Sequence, residues 1–386
     1  MATAASEYVL STEDDLHAFV ETVLTKVGAE PADAAIVADV LVAADLRGVE
    51  SHGVARLASH YVSPLRTGRV EAHPKIETVR ETAISIVVDA GNGLGHPVAK
   101  RTMEAVIAKA QQHGSAVGAV RNSSHYGMAG YYAMLALEHD MVGMTSTNTV
   151  RCAAPTYGRD MMLGTNPFAY AVPAAEEPAF VLDFATTTVA RGKLEVYNRK
   201  NQPLNTGWAV NEHGQETLDP QAALKGALLP LGGAGVENGG HKGYGLGLLA
   251  DIFCGVLAGG KFGRQVPSLR DEPMPGAISH WFAAFRVDGF RDAAEFKRDM
   301  DIELRAFKRS AKAPGQDRIY VAGEIEYEKT LAHRKNGVPV HVKVWAGLEK
   351  LAVELGLPLV ARQLSGIPEG GSARRAERNG FDEVES

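Results

Sequence analysis

The sequence predicts an α/β protein whose middle third forms a sheet without long intervening helices, and which lacks a Rossmann fold. Three observations lead there. Helical apolar patterns fill the opening segment and return near the end of the chain; the central apolar runs are short and closely spaced; and no strand leads through G-x-G-x-x-G into a helix.

Taken in order, Ser11 or Thr12 can cap a helix that carries Leu16, Phe19, Val20 and Val23 on one face. A second helix runs from Pro31 to Ala44, with Ile36, Val37, Val40 and Leu41 as its apolar stripe, and Arg47-Gly48 ends it. Ser51 has the chemistry to cap a third, with His52 and Arg56 in its first turns. The run AISIVV, 83 to 88, reads as a buried strand, followed by a helix from Pro97 to about Gln112 and a strand from Ala116 to Val120. Residues 121 to 127 (RNSSHYG) form a loop that places His125 just ahead of a helical stretch, Met128 to Glu138. MVGMTSTN, NPFAYAVPA and AFVLDFAT then read as strands, and Leu246 to Leu257 as a helix behind a glycine-rich segment. A strand from Trp281 to Val287 and a helix around Ala293 to Lys308 follow, and the last helix, near Val344 to Leu355, is expected to pack on the N-terminal ones.

At 386 residues the chain is long enough for two or three sub-domains around a shared cleft. A net charge of −6 argues against a nucleic-acid partner, which calls for a basic face. No apolar stretch approaches the roughly 20 residues that span a bilayer, and no signal peptide is evident, so no membrane partner is expected. Cys152 and Cys254 fall in no metal or redox spacing and read as packed, reduced thiols, which suits a cytoplasmic protein. No metal site is expected, because neither a His-x-x-x-His nor a clustered carboxylate spacing occurs. Residues 365 to 386, rich in Gly, Arg and Glu, read as a mobile tail.

Two glycine patterns mimic a dinucleotide fingerprint. Gly91-Asn-Gly93-Leu-Gly95 lies between a strand and a helix but is one residue short, and the next strand ends at Arg121 where an acidic residue is needed. Gly245-Leu-Gly247-Leu-Leu-Ala250 does not follow a strand, and reads better as small residues on a tightly packed, buried helix.

Two segments carry chemistry. Arg47 to Arg56 puts Ser51, His52 and Arg56 within one loop and the following turns, a pattern suited to a carboxylate, because the arginine fork offers paired donors. It is equally the pattern of a capped helix start with a solvated His and Arg. His125, flanked by Ser124 and Tyr126, offers a side chain whose pKa sits near working pH, the usual requirement for proton transfer.

Six ordered motifs decide between these readings: DLRGVESHGVARL (45 to 57), SSHYGMAGYY (123 to 132), GTNPFAYAVPA (164 to 174), VLDFATTTVARGK (181 to 193), TGWAVNEHGQETLDP (206 to 220) and GGHKGYGLGLLADIF (239 to 253). Together they resemble the malate and L-lactate dehydrogenases of the non-Rossmann type, a family that includes sulfolactate, ureidoglycolate and diketogulonate dehydrogenases and a piperideine/pyrroline-2-carboxylate reductase. The resemblance covers roughly Leu10 to Glu324. It implies an L-sulfolactate dehydrogenase-like fold, in which a largely antiparallel mixed sheet holds the cofactor and a helical domain is built from N- and C-terminal segments. On that pattern residues 8–80 form the N-terminal helical part, 81–120 a connecting strand-helix-strand, 121–290 the cofactor sheet and 291–364 helices packing back on the N-terminal part.

The activity implied is hydride transfer between NAD or NADP and a small 2-oxo or 2-hydroxy acid, with a cyclic imino acid reductase or a non-catalytic metabolite binder as alternatives. By resemblance His125 is the proton donor and acceptor, Ser51 and His52 support catalysis, and Arg56 with Ser51 holds the substrate. His52, His125, Thr149, Asp183, Phe184, Ala185, Lys242, His280, Trp281 and Phe282 fall where the family contacts the dinucleotide, and a homodimer is implied. The chain departs from the family's usual pattern at Arg151-Cys152 and after Tyr327.

Overall fold

The computed structural model describes residues 7–358, so the tail at 365–386 lies outside the described residues. The two ends of the chain build one helical body. Thr12 caps the helix Glu13–Lys26, its hydroxyl accepting the Asp15 N–H at 3.0 Å. Leu16, Phe19, Val20 and Val23 then face the Pro31–Leu46 helix in a shared core. Strand Tyr8–Ser11 pairs antiparallel with Val338–His341, and the following helix, Val342–Leu355, adds Trp345, Leu348 and Leu351 to that core. Glu324–Asn336 packs on Pro31–Leu46 as well.

The second body is a seven-stranded sheet in the order Glu77–Glu81, Ser85–Asp89, Ser115–Ser123, Ile278–Arg286, Met141–Thr147, Phe168–Val172, Phe180–Phe184. Only Ser85–Asp89 and Ser115–Ser123 run parallel, joined by the Gly95–His113 helix, and every other pairing is antiparallel. The central strand, Ile278–Arg286, is covered on both faces, which is why its stretch WFAAF, 281 to 285, is apolar throughout rather than alternating.

Three local expectations change. Strands at 77–123 join the same sheet as the later ones, so 81–120 is continuous with that sheet rather than a connector. Helix Ala293–Arg309 is tied to the 175–177 turn: Asp301 accepts the N–H groups of Ala175, Glu176 and Glu177, and Arg305 pairs with Glu177. These bonds hold it beside the sheet, and Lys308 at its end pairs with Glu324 at the start of the Glu324–Asn336 helix. Ser51 does not cap a regular helix, because Glu50–His52 and Val54–Arg56 are short 3₁₀ turns that pass into a π-helical turn, Leu57–Val62.

Candidate active site

A cleft of about 390 Å³ lies between the two bodies. Its helical wall comes from the turns after Pro31–Leu46, which supply His52, Arg56 and His60. Its sheet wall comes from the loops at His125 and Thr149 and from the end of strand Phe180–Phe184, which supplies Asp183. The segment from Pro267 to Ile278 closes one side.

His125 is the best-defined group. Its Nδ1 accepts the Gly127 N–H at 3.2 Å and lies 2.8 Å from the Tyr61 hydroxyl. A backbone N–H can only donate, so Nδ1 carries no proton in the neutral ring, Tyr61 donates to it, and the ring proton sits on Nε2. Nε2 has no partner among the described residues and is left for the cleft. Burial, then the charges of His52, His60, His96 and Arg56, hold His125 well below the ordinary histidine value. The ring is therefore neutral in the free protein.

His52 stacks on His125 with ring centres 5.6 Å apart, and His60 meets it edge-on at 5.7 Å. Burial and the Arg56 charge push both down to about 4. Ser51 does not line the cleft; its hydroxyl lies 2.9 Å from His52 Nδ1 and its carbonyl accepts the Arg56 Nε–H. Ser51 is thus placed to orient the two side chains beside it. Arg56 keeps its terminal nitrogens free of any ion pair among the described residues.

At the sheet end, Thr149 Oγ1 accepts the Thr165 N–H at 2.9 Å, and Asp183 Oδ2 accepts the Gly130 N–H at 2.6 Å. Asp183 Oδ1 is buried and has no partner among the described residues. Burial raises the Asp183 carboxyl to about 6, while Gly130 and the Arg47 charge pull the other way.

The structure does not bring the remaining sequence candidates to this wall. His280 is fully buried beneath Tyr126, ring centres 4.3 Å apart, with Nδ1 bonded to Thr147 and Nε2 to Ser123. Trp281 packs on Phe253 and Cys254, and Phe282 on Tyr132, because alternate positions of this central strand face opposite cores. Phe184 stacks on Phe168 and Ala185 follows it just outside the lining. Lys242 is exposed on the first turn of helix Gly240–Asp251 and does not line the cleft. Gly247 in that helix is buried, and a Cβ there would lie 2.9 Å from Thr186 Oγ1. The opposite side of the helix is open, however: Leu248, Ile252 and Val256 are exposed, so the helix is buried along one side only.

Sequence reasoning missed Tyr61, His60 and the Pro267–Ile278 segment. His60 stands four residues after Arg56, a spacing that could have flagged it. Tyr61 meets His125 across 64 residues, and nothing local announces that contact.

A histidine and a guanidinium that line one cleft, set between a helical body and a mostly antiparallel sheet, describe a small-molecule site on a fold that is not a Rossmann one. The chain belongs to the malate/L-lactate dehydrogenase family, whose model matches residues 11–349, and it is an oxidoreductase of that family. It is 42% identical to a malate dehydrogenase of Pyrococcus abyssi over 91% of this chain and 96% of that protein. It is 38% identical to the L-sulfolactate dehydrogenase of Methanocaldococcus jannaschii over 90% of this chain and 98% of that one. The solved structure of malate dehydrogenase from Pyrococcus horikoshii superposes with a TM-score of 0.84 at 40% identity, covering 93% of this chain and 99% of that one. Among the described residues, no helix is long and apolar enough to cross a membrane and no cluster of ligands suits a metal ion.

Proposed function

We propose that this protein interconverts a small 2-oxo acid and the matching 2-hydroxy acid, of malate or lactate type, using NAD or NADP, with His125 as proton donor and acceptor. The observation that carries this reading is the state of His125: Nδ1 is fixed by Gly127 and Tyr61, while Nε2 is left open above a cleft that also holds Arg56. When bound, the nicotinamide supplies or takes up the hydride.

The protein's own residues do the rest. Arg56 holds the substrate carboxylate through its terminal nitrogens, its Nε being fixed on Ser51. The carboxylate's charge beside His125 favours the imidazolium, so substrate binding in the reductive direction draws a proton from solvent onto Nδ1. The imidazolium then passes its Nε2 proton to the carbonyl oxygen and keeps the one on Nδ1, which the Tyr61 oxygen accepts; oxidation runs from that Nδ1–H tautomer, whose bare Nε2 takes the hydroxyl proton. Ser51 and His52 keep the ring and the guanidinium aligned.

The cleft suits a dinucleotide at its sheet end. The orphaned Asp183 Oδ1 can accept a ribose hydroxyl, Thr149 stands on the same wall, and Phe184 and Ala185 follow Asp183 at its edge. Trp281, Phe282 and His280 act from beneath, shaping the sheet and holding Tyr126. Lys242 reaches a dinucleotide only from a neighbouring protomer, a role consistent with the open apolar side of its helix and with the homodimer we assign. Both cysteines are free and buried, which suits a cytoplasmic location. The test is absorbance at the nicotinamide wavelength with a panel of 2-oxo acids. Turnover of oxaloacetate or pyruvate supports the reading, and no turnover of any member by well-folded protein contradicts it.

A further inference from the structure

We propose that Asp45 is a positioning residue: its buried carboxyl latches the turn bearing His52 and Arg56 to the end of the Pro31–Leu46 helix, and so sets where the substrate clamp points. The inference rests on the assignment of Arg56 and His52 to the substrate. Asp45 Oδ2 accepts the Val54 N–H at 2.8 Å, nine residues along the chain. Both residues are out of water, Asp45 at 4% exposure and Val54 at 1%, so that N–H has no alternative partner. The bond falls midway between His52 and Arg56, two residues from each.

The chain is shaped around this carboxyl. A Cβ on Gly53 would lie 1.9 Å from Asp45 Oδ1, so only glycine lets the turn approach it. The other end of the latch is anchored too, because His333 Nδ1 lies 3.2 Å from the Asp45 carbonyl and ties the helix end to Glu324–Asn336. None of the ion pairs among the described residues involves Asp45, which sets it apart from an ordinary structural carboxylate. Burial raises this carboxyl to about 8, so it is mostly protonated at neutral pH, and asparagine is its near-isosteric mimic. Because Arg56 Nε is in turn fixed on the Ser51 carbonyl, the histidine and the guanidinium move together when the latch shifts. Displacement of a positioned group by about an ångström is enough to lower turnover by roughly a hundredfold.

The experiment compares Asp45→Ala, Asp45→Asn and Gly53→Ala with wild type and Arg56→Lys, reading KM and kcat for oxaloacetate and, separately, the dissociation constant of reduced dinucleotide by fluorescence. Asp45→Ala is expected to raise KM at least about tenfold and to lower kcat, with dinucleotide affinity within about twofold. Asp45→Asn should stay near wild type. Gly53→Ala, which keeps the carboxyl and displaces the turn, should reproduce the KM defect even where Asp45→Ala fails to fold. Joined with Asp45→Ala it should be less harmful than the two effects added. An unchanged KM in Asp45→Ala or Gly53→Ala, with a raised KM in Arg56→Lys, overturns the latch alone. An unchanged KM in Arg56→Lys overturns the clamp beneath it. Parallel losses of KM and dinucleotide affinity, tracking the loss of folded protein, reduce Asp45 to a fold residue and overturn the proposal.

Discussion

His125 and His280 stand on neighbouring loops and strands of the same sheet, the first half-buried and the second fully buried, both flanked by serine or threonine, and their fates are opposite. His280 bonds through both ring nitrogens, to Thr147 and Ser123, and serves as a platform for Tyr126. His125 bonds through one nitrogen only, to Gly127 and Tyr61, and presents the other to the cleft. What separates a supporting histidine from a reacting one is the second nitrogen, which no spacing in the sequence reveals.

That contrast sets the largest expected effect. His125→Ala should fold, bind dinucleotide and lose roughly two to four orders of magnitude in turnover, as removal of a proton-transfer group does. His280→Asn should keep most of its turnover while losing stability, because two buried hydroxyls lose a partner. Turnover and thermal melts on both variants check this, and equal turnover losses erase the distinction.

Next in size is Arg56→Lys, which keeps the charge and loses the planar fork. KM for the acid should rise roughly tenfold or more, with dinucleotide affinity unchanged. Weaker dinucleotide binding at unaltered KM moves Arg56 to the other end of the cleft.

Lys242 and Gly247 sharpen a second contrast, between the exposed and buried sides of one helix. Lys242→Ala should weaken dinucleotide binding about tenfold, as loss of one charge-assisted bond does. Gly247→Ala, pressed on Thr186, should cost melting temperature and leave affinity alone. Fluorescence titration with reduced dinucleotide decides it, and unchanged affinity in Lys242→Ala removes the residue from the site.

The smallest effect concerns the neutral buried histidines. His96 and His280 are held down to about 3 by burial, against 6.5 when unfolded. The unfolded chain takes up their protons first, so the stability they lend is complete above pH 6.5 and is lost as the pH falls toward 3. Each loses up to about 1.4 kcal/mol per pH unit. Asp45, raised to about 8, and Asp183, raised to about 6, work the other way and offset part of the loss, while His52 and His60, held down to about 4, add to it. The melting temperature should therefore fall by several degrees between pH 6.5 and pH 5, and a level profile contradicts the neutral assignment.

Much of this architecture was legible from pattern. Helical periodicity located Glu13–Lys26 and Pro31–Leu46, and β-branched runs located the strands, because one-sided burial imposes those periods. The terminal ribbon of Tyr8–Ser11 with Val338–His341 was not legible, since a short edge strand takes its identity from a partner three hundred residues away. In the site, Ser51, His52, Arg56 and His125 were nominated by their motifs, whereas Tyr61 was invisible because its role depends on a long-range contact. Lys242 stood inside a motif as Asp183 did, whereas Thr149, Trp281 and Phe282 lay outside the six motifs. Only the geometry of a single chain separates the residues on the cleft wall from those behind or outside it.

The central claim, that His125 is neutral in the free protein and trades its proton with the substrate, is tested most directly by kcat/KM against pH in both directions. This parameter reports the free enzyme, and His125 lies well below 6.5. From roughly pH 6.5 to 7.5, kcat/KM for reduction should fall about tenfold, because the protonated ring becomes that much rarer, while kcat/KM for oxidation should stay level. Two level profiles, or a reduction profile that breaks only above pH 7.5, would contradict the account.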